Sequence, residues 1–277
     1  SGRWTERKGV RARTLLFFLS LWLSWQQVEG LSGMGDGIVG DKWALALSEG
    51  EGPPPKCFGL VLTTLWQSTP SDLREQYESF CKHLETLTED PCLYLYPYTA
   101  LHCTVASLVK FTCSYGEELS QDEKKQEAVI SAWQKAIDKV LLKSKLLENP
   151  IPVVWGAPEL PGNAAIMMID NPGREVFGIR DLLREAAKDP ILEQNGVKCS
   201  IPQITHFPNI VHSSFGRFKR PPKDEKKFRA SFALAAQSWK PIKCQISQIH
   251  LTREILPFMH MQKEQNVIKS YSFGKKS

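Results

Sequence analysis

Hydrophobic and polar residues alternate with two periods along this chain, and the two periods predict a mixture of helices and strands. Four stretches carry apolar residues at helical spacing, three or four residues apart. They cover about residues 70–90, 121–147, 174–188 and 223–236. Shorter apolar or β-branched runs predict strands; these lie around His212 and at about residues 57–65, 93–96, 101–111, 151–155, 164–169, 242–251 and 267–273.

These elements follow the same order twice. The strand that carries His102 lies 44 residues after Phe58, with a helix between them, and the strand that carries His212 lies 48 residues after Ala164, again with a helix between them. Matched order and matched spacing indicate an internal duplication. We therefore predict an α+β fold, built as a bilobal domain from two αβ lobes.

The strands at corresponding positions of this repeat carry the same short motif. Residues 101–105 and 211–215 both read apolar, His, any residue, hydroxyl, apolar. Because side chains alternate faces along a strand, the imidazole and the hydroxyl of each motif share one face. These residues are His102 with Thr104, and His212 with Ser214. Two such strands facing each other would form a phosphate clamp.

A third match, His250 with Thr252, shows that the motif alone is not specific. His250 lies 86 residues after Ala164, and no helix comparable to those after the other two motifs follows it. The register of the repeat therefore favours His212 as the partner of His102. We interpret His250 as an ordinary strand residue.

Length and composition indicate a globular protein with a large core. The chain has 277 residues, of which 42% are hydrophobic and 23% are charged. Its formal charge is +5, but the first 33 residues hold five basic and two acidic side chains, which leaves +2 for the remainder. A charge of this size does not argue for binding to long duplex nucleic acid.

The N-terminal segment, residues 1–33, has the basic, apolar and small-residue parts of a secretory signal in the right order. Its apolar run is too short for a stable membrane span, which needs about 20 apolar residues. The alternative is that the segment is not native coding sequence and that Met34 is the start. We expect the secretory pathway if residues 1–30 are a signal peptide, and the cytoplasm otherwise. The 7 Cys without metal-type spacing favour the cytoplasm.

The rest of the chain divides into a linker and a folded domain. Residues 34–56 are rich in Gly and then in Pro, a composition typical of linkers. The folded domain is expected to cover residues 57–277, with lobes of about 57–160 and 161–277.

The chain from about residue 57 to 273, with its two motifs paired in register, resembles the two-histidine (2H) phosphoesterase superfamily. The resemblance is to members of the type of RNA ligases and cyclic nucleotide phosphodiesterases. The resemblance implies two pseudo-symmetric lobes whose antiparallel sheets face a central cleft, with one motif from each lobe. It implies His102 and His212 as the catalytic histidines and Thr104 and Ser214 as the phosphate-holding hydroxyls. Val105 and Phe215 stand where the family commonly has Leu, and Ser214 replaces the more frequent Thr. Neither change removes a functional group.

The resemblance also implies an activity: metal-independent opening of a cyclic phosphate, or cleavage of a phosphodiester, on RNA ends or small nucleotides, with no metal and no cofactor. The residue types suit this chemistry. One imidazole takes a proton from water while the other protonates the leaving ribose oxygen, and both roles are open to a group that titrates near neutrality. Hydroxyls and an imidazolium stabilise charge on the non-bridging oxygens.

Two other functions are consistent with the same residues. A nucleotide-binding module of this fold would keep both motifs without useful turnover, and an interaction scaffold would carry its histidines incidentally. Turnover separates the first from an enzyme, and nucleotide binding separates the second from both. The oligomeric state is not predictable from the sequence.

Several conspicuous residues near the motifs are assigned structural roles. Strand parity places Cys103 on the face opposite to His102, where a buried thiol is expected. Basic residues after the second motif predict a solvated charge run rather than a phosphate site; they are Arg217, Lys219 and Arg220. Four aromatic residues have the ring type that stacks on bases, although core packing is their commoner use; they are Tyr94, Tyr96, Tyr98 and Trp155.

Overall fold

The predicted helices and strands follow one another in the predicted order, and the described residues also form four short helices that the sequence pattern did not predict. The computed structural model describes residues 38–49, 55–199 and 203–274, so the signal-like segment lies outside the described residues. The helices are α1 Lys42–Glu49, α2 Ser71–Leu87, α3 Ser114–Leu119, α4 Glu123–Leu141, α5 Glu175–Ala186, α6 Pro190–Gln194, α7 Glu225–Ala236 and α8 Lys263–Asn266. The strands are β1 Gly59–Thr64, β2 Leu93–Leu95, β3 Cys103–Val109, β4 Ile151–Glu159, β5 Ala164–Asp170, β6 His212–Phe218, β7 Ile242–Ile246, β8 Gln248–Glu254 and β9 Val267–Ser272.

The strands form two antiparallel sheets, as the α+β prediction requires. Sheet A has four strands in the order β3-β1-β8-β9, and sheet B has five in the order β2-β6-β5-β4-β7. The first motif strand, β3, is hydrogen-bonded to β1, and the second, β6, is hydrogen-bonded to β5. The same relation of first strand to motif strand recurs in both sheets.

The two sheets do not coincide with the two halves of the sequence. Sheet A takes β8 and β9 from the end of the chain, and sheet B takes β2 and β4 from the first half. The predicted lobes of about 57–160 and 161–277 therefore contribute strands to both sheets. The order of elements is repeated in the structure, but the chain crosses between the two sheets more than once.

One predicted strand, residues 242–251, is in fact two strands in different sheets. β7 pairs with β4 in sheet B, and β8 pairs with β1 and β9 in sheet A. The change of sheet occurs at Ser247, whose carbonyl accepts a hydrogen bond from the N–H of Phe273. Both strands are apolar enough to read as one run, and only their distant partners separate them.

The helix predicted at 121–147 is shorter in the structure than its apolar pattern indicates. The side chain of Asp122 accepts a hydrogen bond from the N–H of Lys125, which caps the start of α4. The helix ends at Leu141, and Ser144 then caps a separate 3₁₀ turn by accepting from the N–H of Leu146. The last part of the predicted helix therefore belongs to that turn.

Part of the predicted linker is helical. Asp41 caps α1 by accepting hydrogen bonds from the N–H groups of Trp43 and Ala44, and its own N–H donates to the carbonyl of Phe218. Ala44 is fully buried, and Trp43 contacts Phe111 edge to face with ring centroids 5.5 Å apart. Residues 38–49 thus pack on the folded part of the chain.

Helices from different halves cover the sheets in pairs. α2 packs on α7, where the rings of Phe80 and Phe232 lie 5.3 Å apart, and α4 packs on α5. The predicted stripe of α2 is buried at Leu73, Tyr77, Phe80 and Leu84. One large hydrophobic cluster joins α2, α4, α5 and α7 to both sheets. None of the described helices has the length and hydrophobicity that a membrane span requires.

Candidate active site

The two motif segments have the same pattern of burial, residue for residue. His102 and Thr104 are half-buried between fully buried neighbours, and so are His212 and Ser214. His102 immediately precedes β3, whereas His212 is the first residue of β6. In each segment the imidazole and the hydroxyl share the less buried face, as strand parity predicts.

Each motif also ends in a β-bulge at the same position. Thr104 pairs with Thr63 and Ala106 pairs with Leu62, so Val105 is the extra residue of β3. In β6, Ser214 and Gly216 pair with consecutive residues of β5, so Phe215 is the extra residue there. A bulge bends its strand and redirects the side chains beside it, and bulges are common next to active sites.

The starts of β3 and β6 come together at Cys103. Its side chain is fully buried, and its thiol contacts the backbone of His212. Burial raises the pKa of this thiol to about 11, although Arg180 and the His212 backbone act in the opposite direction. Cys103 is therefore a protonated, buried thiol at neutral pH, as strand parity predicts, and it joins the two motif strands.

Arg180, on α5, fixes the backbone of the first motif. Its guanidinium donates from Nε to the carbonyl of Val105 at 2.8 Å and from Nη2 to the carbonyl of Thr104 at 3.1 Å. The side chain is fully buried, and burial lowers its pKa to about 10, so it stays charged at neutral pH. A buried positive charge thus lies directly behind the first motif.

Arg180 belongs to neither motif, although its position in the sequence carries a signal. The buried face of α5 includes Val176, Ile179 and Leu183, and Arg180 stands at the i+4 position from Val176. A charged residue inside an apolar stripe is rarely buried without a partner. Here the partners are backbone carbonyls, which a sequence does not specify.

The His102 ring has a defined protonation state. Its Nδ1 lies 2.8 Å from the carbonyl oxygen of Ala100. A carbonyl only accepts, so Nδ1 carries the ring proton and Nε2 keeps its lone pair. Burial lowers the pKa of His102 to about 4, the bond to Ala100 opposes that change, and nearby His260 adds to it. His102 is neutral at pH 7, with Nε2 as a hydrogen-bond acceptor.

Arg217 is not part of a freely solvated charge run, contrary to the sequence-based expectation. It follows the bulge of β6, so it shares the half-buried face with Ser214, and it pairs in register with Tyr94. Its guanidinium lies 4.8 Å from the ring centroid of Phe258 and 3.9 Å from a carboxylate oxygen of Asp41. Arg220 likewise forms an ion pair with Asp90.

The four aromatic residues with the ring type that stacks on bases differ in their burial. Trp155 and Tyr96 are buried in the core, whereas Tyr94 and Tyr98 are half-buried. Both Tyr94 and Tyr96 contact the His260 ring, with centroids 5.6 and 4.8 Å away. His260, which belongs to no sequence motif, therefore connects these tyrosines to His102.

His250, the third motif histidine, lies on β8 as a buried strand residue. It is 2% exposed, and its Nδ1 shares a hydrogen bond of 2.8 Å with Ser270 Oγ. Register places it in one cross-strand row with Thr63 and Thr104, two strands or about 10 Å from Thr104. Its burial and its bond to Ser270 distinguish it from His102 and His212.

The fold was compared with known proteins. No protein-family model matches the chain, and no curated protein matches it. Three of the solved structures that are similar to the chain are described here. TT0787 of Thermus thermophilus has 12% identity, covers 79% of this chain and 100% of its own, and gives a TM-score of 0.43. E. coli LigT complexed with NADP+ has 13% identity, covers 80% and 100%, and gives 0.43. A protein described as a phosphoesterase has 12% identity, covers 80% and 100%, and gives 0.41.

At these identities and TM-scores, the similarities assign no role to any residue of this chain. The chemistry of the site therefore follows from its own side chains. These are a neutral imidazole with an open acceptor at His102, a second imidazole at His212, hydroxyls at Thr104 and Ser214, and a buried guanidinium behind the first motif. Among the described residues, no group of three or more His, Cys, Asp or Glu side chains is arranged to hold a metal ion.

Proposed function

We propose that this protein is a metal-independent phosphodiesterase that opens cyclic phosphates, or cleaves phosphodiesters, of RNA ends or small nucleotides. One observation carries the proposal: both motifs have the same burial pattern and the same bulge after the hydroxyl, and the buried Cys103 thiol links the start of β3 to the His212 backbone. Two imidazoles and two hydroxyls on such strands are a complete set for acid–base opening of a phosphate ester.

His102 is the proposed general base. Its proton is held on Nδ1 by the carbonyl of Ala100, so Nε2 is the atom that takes a proton from water. The water oxygen then forms a bond to phosphorus while the bond from phosphorus to the leaving ribose oxygen breaks. A bound phosphate anion raises the pKa of His102, because a nearby negative charge favours imidazolium. The base therefore becomes stronger when the substrate is present.

His212 is the proposed general acid. As imidazolium it donates a proton to the ribose oxygen that leaves, so the proton lost from water and the proton gained by the leaving group balance. The hydroxyls of Thr104 and Ser214 donate to the non-bridging oxygens as charge builds there. Arg180 donates to the carbonyls of Thr104 and Val105, so its positive charge lies behind the segment that holds the phosphate. This charge adds to that stabilisation.

A second candidate, a non-catalytic nucleotide-binding module, is favoured by one observation. A base with a pKa of about 4 is weak at neutral pH, since general base catalysis is most efficient when the pKa lies near the operating pH. If bound phosphate failed to raise that pKa, the site would hold an anion without turning it over.

Turnover decides between the two functions. The fragment 34–277 is incubated with nucleoside 2′,3′-cyclic monophosphates and with oligonucleotides that end in a cyclic phosphate, with and without EDTA. Hydrolysis that EDTA does not slow supports the phosphodiesterase. Saturable nucleotide binding without product supports the binding module, and an activity lost to EDTA and restored by one divalent ion contradicts metal independence.

A further inference from the structure

A cavity of about 500 Å³ lies next to the proposed catalytic base. Its walls include Gln67 from the loop after β1, Thr99 from the segment before His102, and residues between β8 and β9. Thr99 directly precedes Ala100, whose carbonyl orients the His102 ring. His260 also lines the cavity and is close enough to His102 to oppose its protonation. The cavity is therefore adjacent to the site already described.

Backbone strain is concentrated in the two loops that form this cavity. Of the five non-glycine residues with positive φ in the described part of the chain, four lie there; they are Leu65, Gln67, Phe258 and Met259. Such conformations cost on the order of 1–3 kcal/mol each and persist only where the surroundings enforce them, which is common at functional sites. The two loops come from distant parts of the sequence, and both are strained beside the cavity.

Buried hydrogen bonds hold both loops in these conformations. Glu254 is buried at the end of β8 and accepts from the N–H of Met259 at 3.1 Å. On the other loop, Trp66 is fully buried and donates from Nε1 to the carbonyl of Thr99 at 3.1 Å. Val61, Trp66 and Met259 pack together as a small cluster of their own. The cavity walls are thus preformed.

The lining is a mixture of apolar and polar groups and carries no fixed charge among the described residues. Among the described residues around the cavity, none is Asp, Glu, Lys or Arg; four are amides, namely Gln67, Gln262, Gln265 and Asn266. Hydrogen bonds from Gln265 and Asn266 to Gln262 orient these amides and use only part of their capacity. Met259 and Met261 supply apolar surface. A volume of this size falls in the range of roughly 300–1,000 Å³ that small-molecule sites occupy.

His260 adds an acceptor without a partner. Its Nδ1 lies 2.9 Å from the carbonyl oxygen of Pro257 and 3.1 Å from that of Phe258, so Nδ1 carries the ring proton. Nε2 is buried and has no hydrogen-bond partner among the described residues. Nε2 is covered in this conformation, so a ligand donor reaches it only when the His260 ring shifts toward the cavity; such a donor would supply the partner that buried polar atoms normally have. An amino or ring N–H group of a nucleobase is such a donor.

We infer that this cavity binds the nucleobase of the substrate, with His260 Nε2 accepting a hydrogen bond from the base and the amides reading its remaining edge. The inference rests on the proposed function, because it places the phosphate of the same nucleotide between His102 and His212. A neutral lining with amides and methionines suits an uncharged, planar, hydrogen-bonding ring and does not suit a second phosphate.

The test compares substrates with and without a base. Wild type, Gln67→Ala, Gln265→Ala and His260→Ala are assayed with nucleoside 2′,3′-cyclic monophosphates and with ribose 2′,3′-cyclic phosphate that lacks a base. Gln194→Ala and His83→Ala are matched controls, since both side chains are exposed and neither residue is among those that line the cavity. Loss of one hydrogen bond corresponds to about a fivefold to tenfold change. We expect the wild-type preference for nucleotides in kcat/KM to fall about tenfold in the three variants and to stay unchanged in the controls.

Binding of nucleosides that lack phosphate gives a second readout that is independent of turnover. If wild type hydrolyses nothing but binds nucleosides, and His260→Ala and Gln67→Ala weaken that binding, then the proposed function fails while the base site stands. If wild type hydrolyses both substrate classes equally well and the variants behave like the controls in both assays, the base site is overturned while the phosphodiesterase stands. Absence of nucleoside binding and of any nucleotide preference also overturns it.

Discussion

Val105 and Phe215 are the extra residues of equivalent β-bulges, each directly after the hydroxyl of its motif. Both are fully buried, so each bulge is anchored by an apolar side chain while the hydroxyl before it stays half-buried. The two strands thus repeat a local backbone geometry as well as a residue pattern. This repeated geometry distinguishes the pair of motifs from the third: β8 pairs with β1 in unbroken register through His250 and Thr252, and the register shift of β8 with β9 puts its extra residue, Ile268, on β9.

The hydroxyls should act mainly on the transition state. Thr104→Ala and Ser214→Ala are each expected to lower kcat by about 10²-fold with a smaller effect on KM, because the hydroxyls donate where charge develops. Ser213→Ala is the matched control. Its Oγ is buried without a hydrogen-bond partner in the described structure, on the opposite face of β6 from Ser214. Steady-state kinetics that show equal losses for Ser213→Ala and Ser214→Ala would contradict the assignment.

Arg180 should stabilise the first motif. Arg180→Met removes the donors to the carbonyls of Thr104 and Val105, and hydrogen bonds from a charged group contribute about 1.5–3 kcal/mol each. For the two bonds together, we expect the free energy of unfolding to fall by about 3–6 kcal/mol in urea titrations. Arg184→Met, on the same helix, removes a side chain that is 41% exposed and pairs with Asp181, and it should cost less than 1 kcal/mol. Equal losses in the two variants would show that the buried bonds contribute nothing specific.

The residues in these two predictions differ in how far their roles can be predicted from the sequence. The motif pair and the stripe of α2 are local patterns, so periodicity and register found them. Arg180 has its partners in the backbone of β3, 75 residues away, and no side-chain pattern marks a carbonyl. β7 and β8 read as one strand because the sheet that each joins is decided by distant partners. His260 belongs to no motif, and only folding of the β8–β9 segment brings it to His102.

Glu254 should make stability depend on pH. Burial raises its pKa to about 8, while hydrogen bonds from the N–H groups of Met259 and Phe258, and nearby Arg217, act in the opposite direction. The unfolded chain releases this proton near pH 4.5 and the folded chain keeps it until about pH 8. The contribution to stability is therefore complete below pH 4.5 and is lost as the pH rises to 8, on the order of 5 kcal/mol at about 1.4 kcal/mol per pKa unit.

Unfolding at pH 5 and at pH 8 measures this effect. Wild type should lose more stability between the two values than Glu254→Gln, which stays neutral throughout. Glu264→Gln, at an exposed position, serves as the control and should follow wild type. A Glu254→Gln variant with the same pH dependence as wild type would mean that the buried carboxyl is ionised in the folded protein.

His102 should titrate far below an ordinary histidine. With a pKa of about 4, it is neutral in the free protein at pH 5, and kcat/KM should fall only as the pH drops through about 4. NMR titration, with the His102 signal assigned by its loss in His102→Gln, measures this value directly. Adding inorganic phosphate should raise it, because the anion favours imidazolium. A free-protein pKa near 6.5 would contradict the buried, Ala100-bonded ring.

Hydrolysis of nucleoside 2′,3′-cyclic monophosphates by the two histidine variants tests the central claim most directly. His102→Ala and His212→Ala, each shown to be folded by circular dichroism, are expected to reduce kcat by about 10²–10⁴-fold, since each removes a general acid or base. His83→Ala, at an exposed position on α2, should keep the wild-type rate. A folded His102→Ala or His212→Ala protein that turns over at the wild-type rate would contradict the paired mechanism.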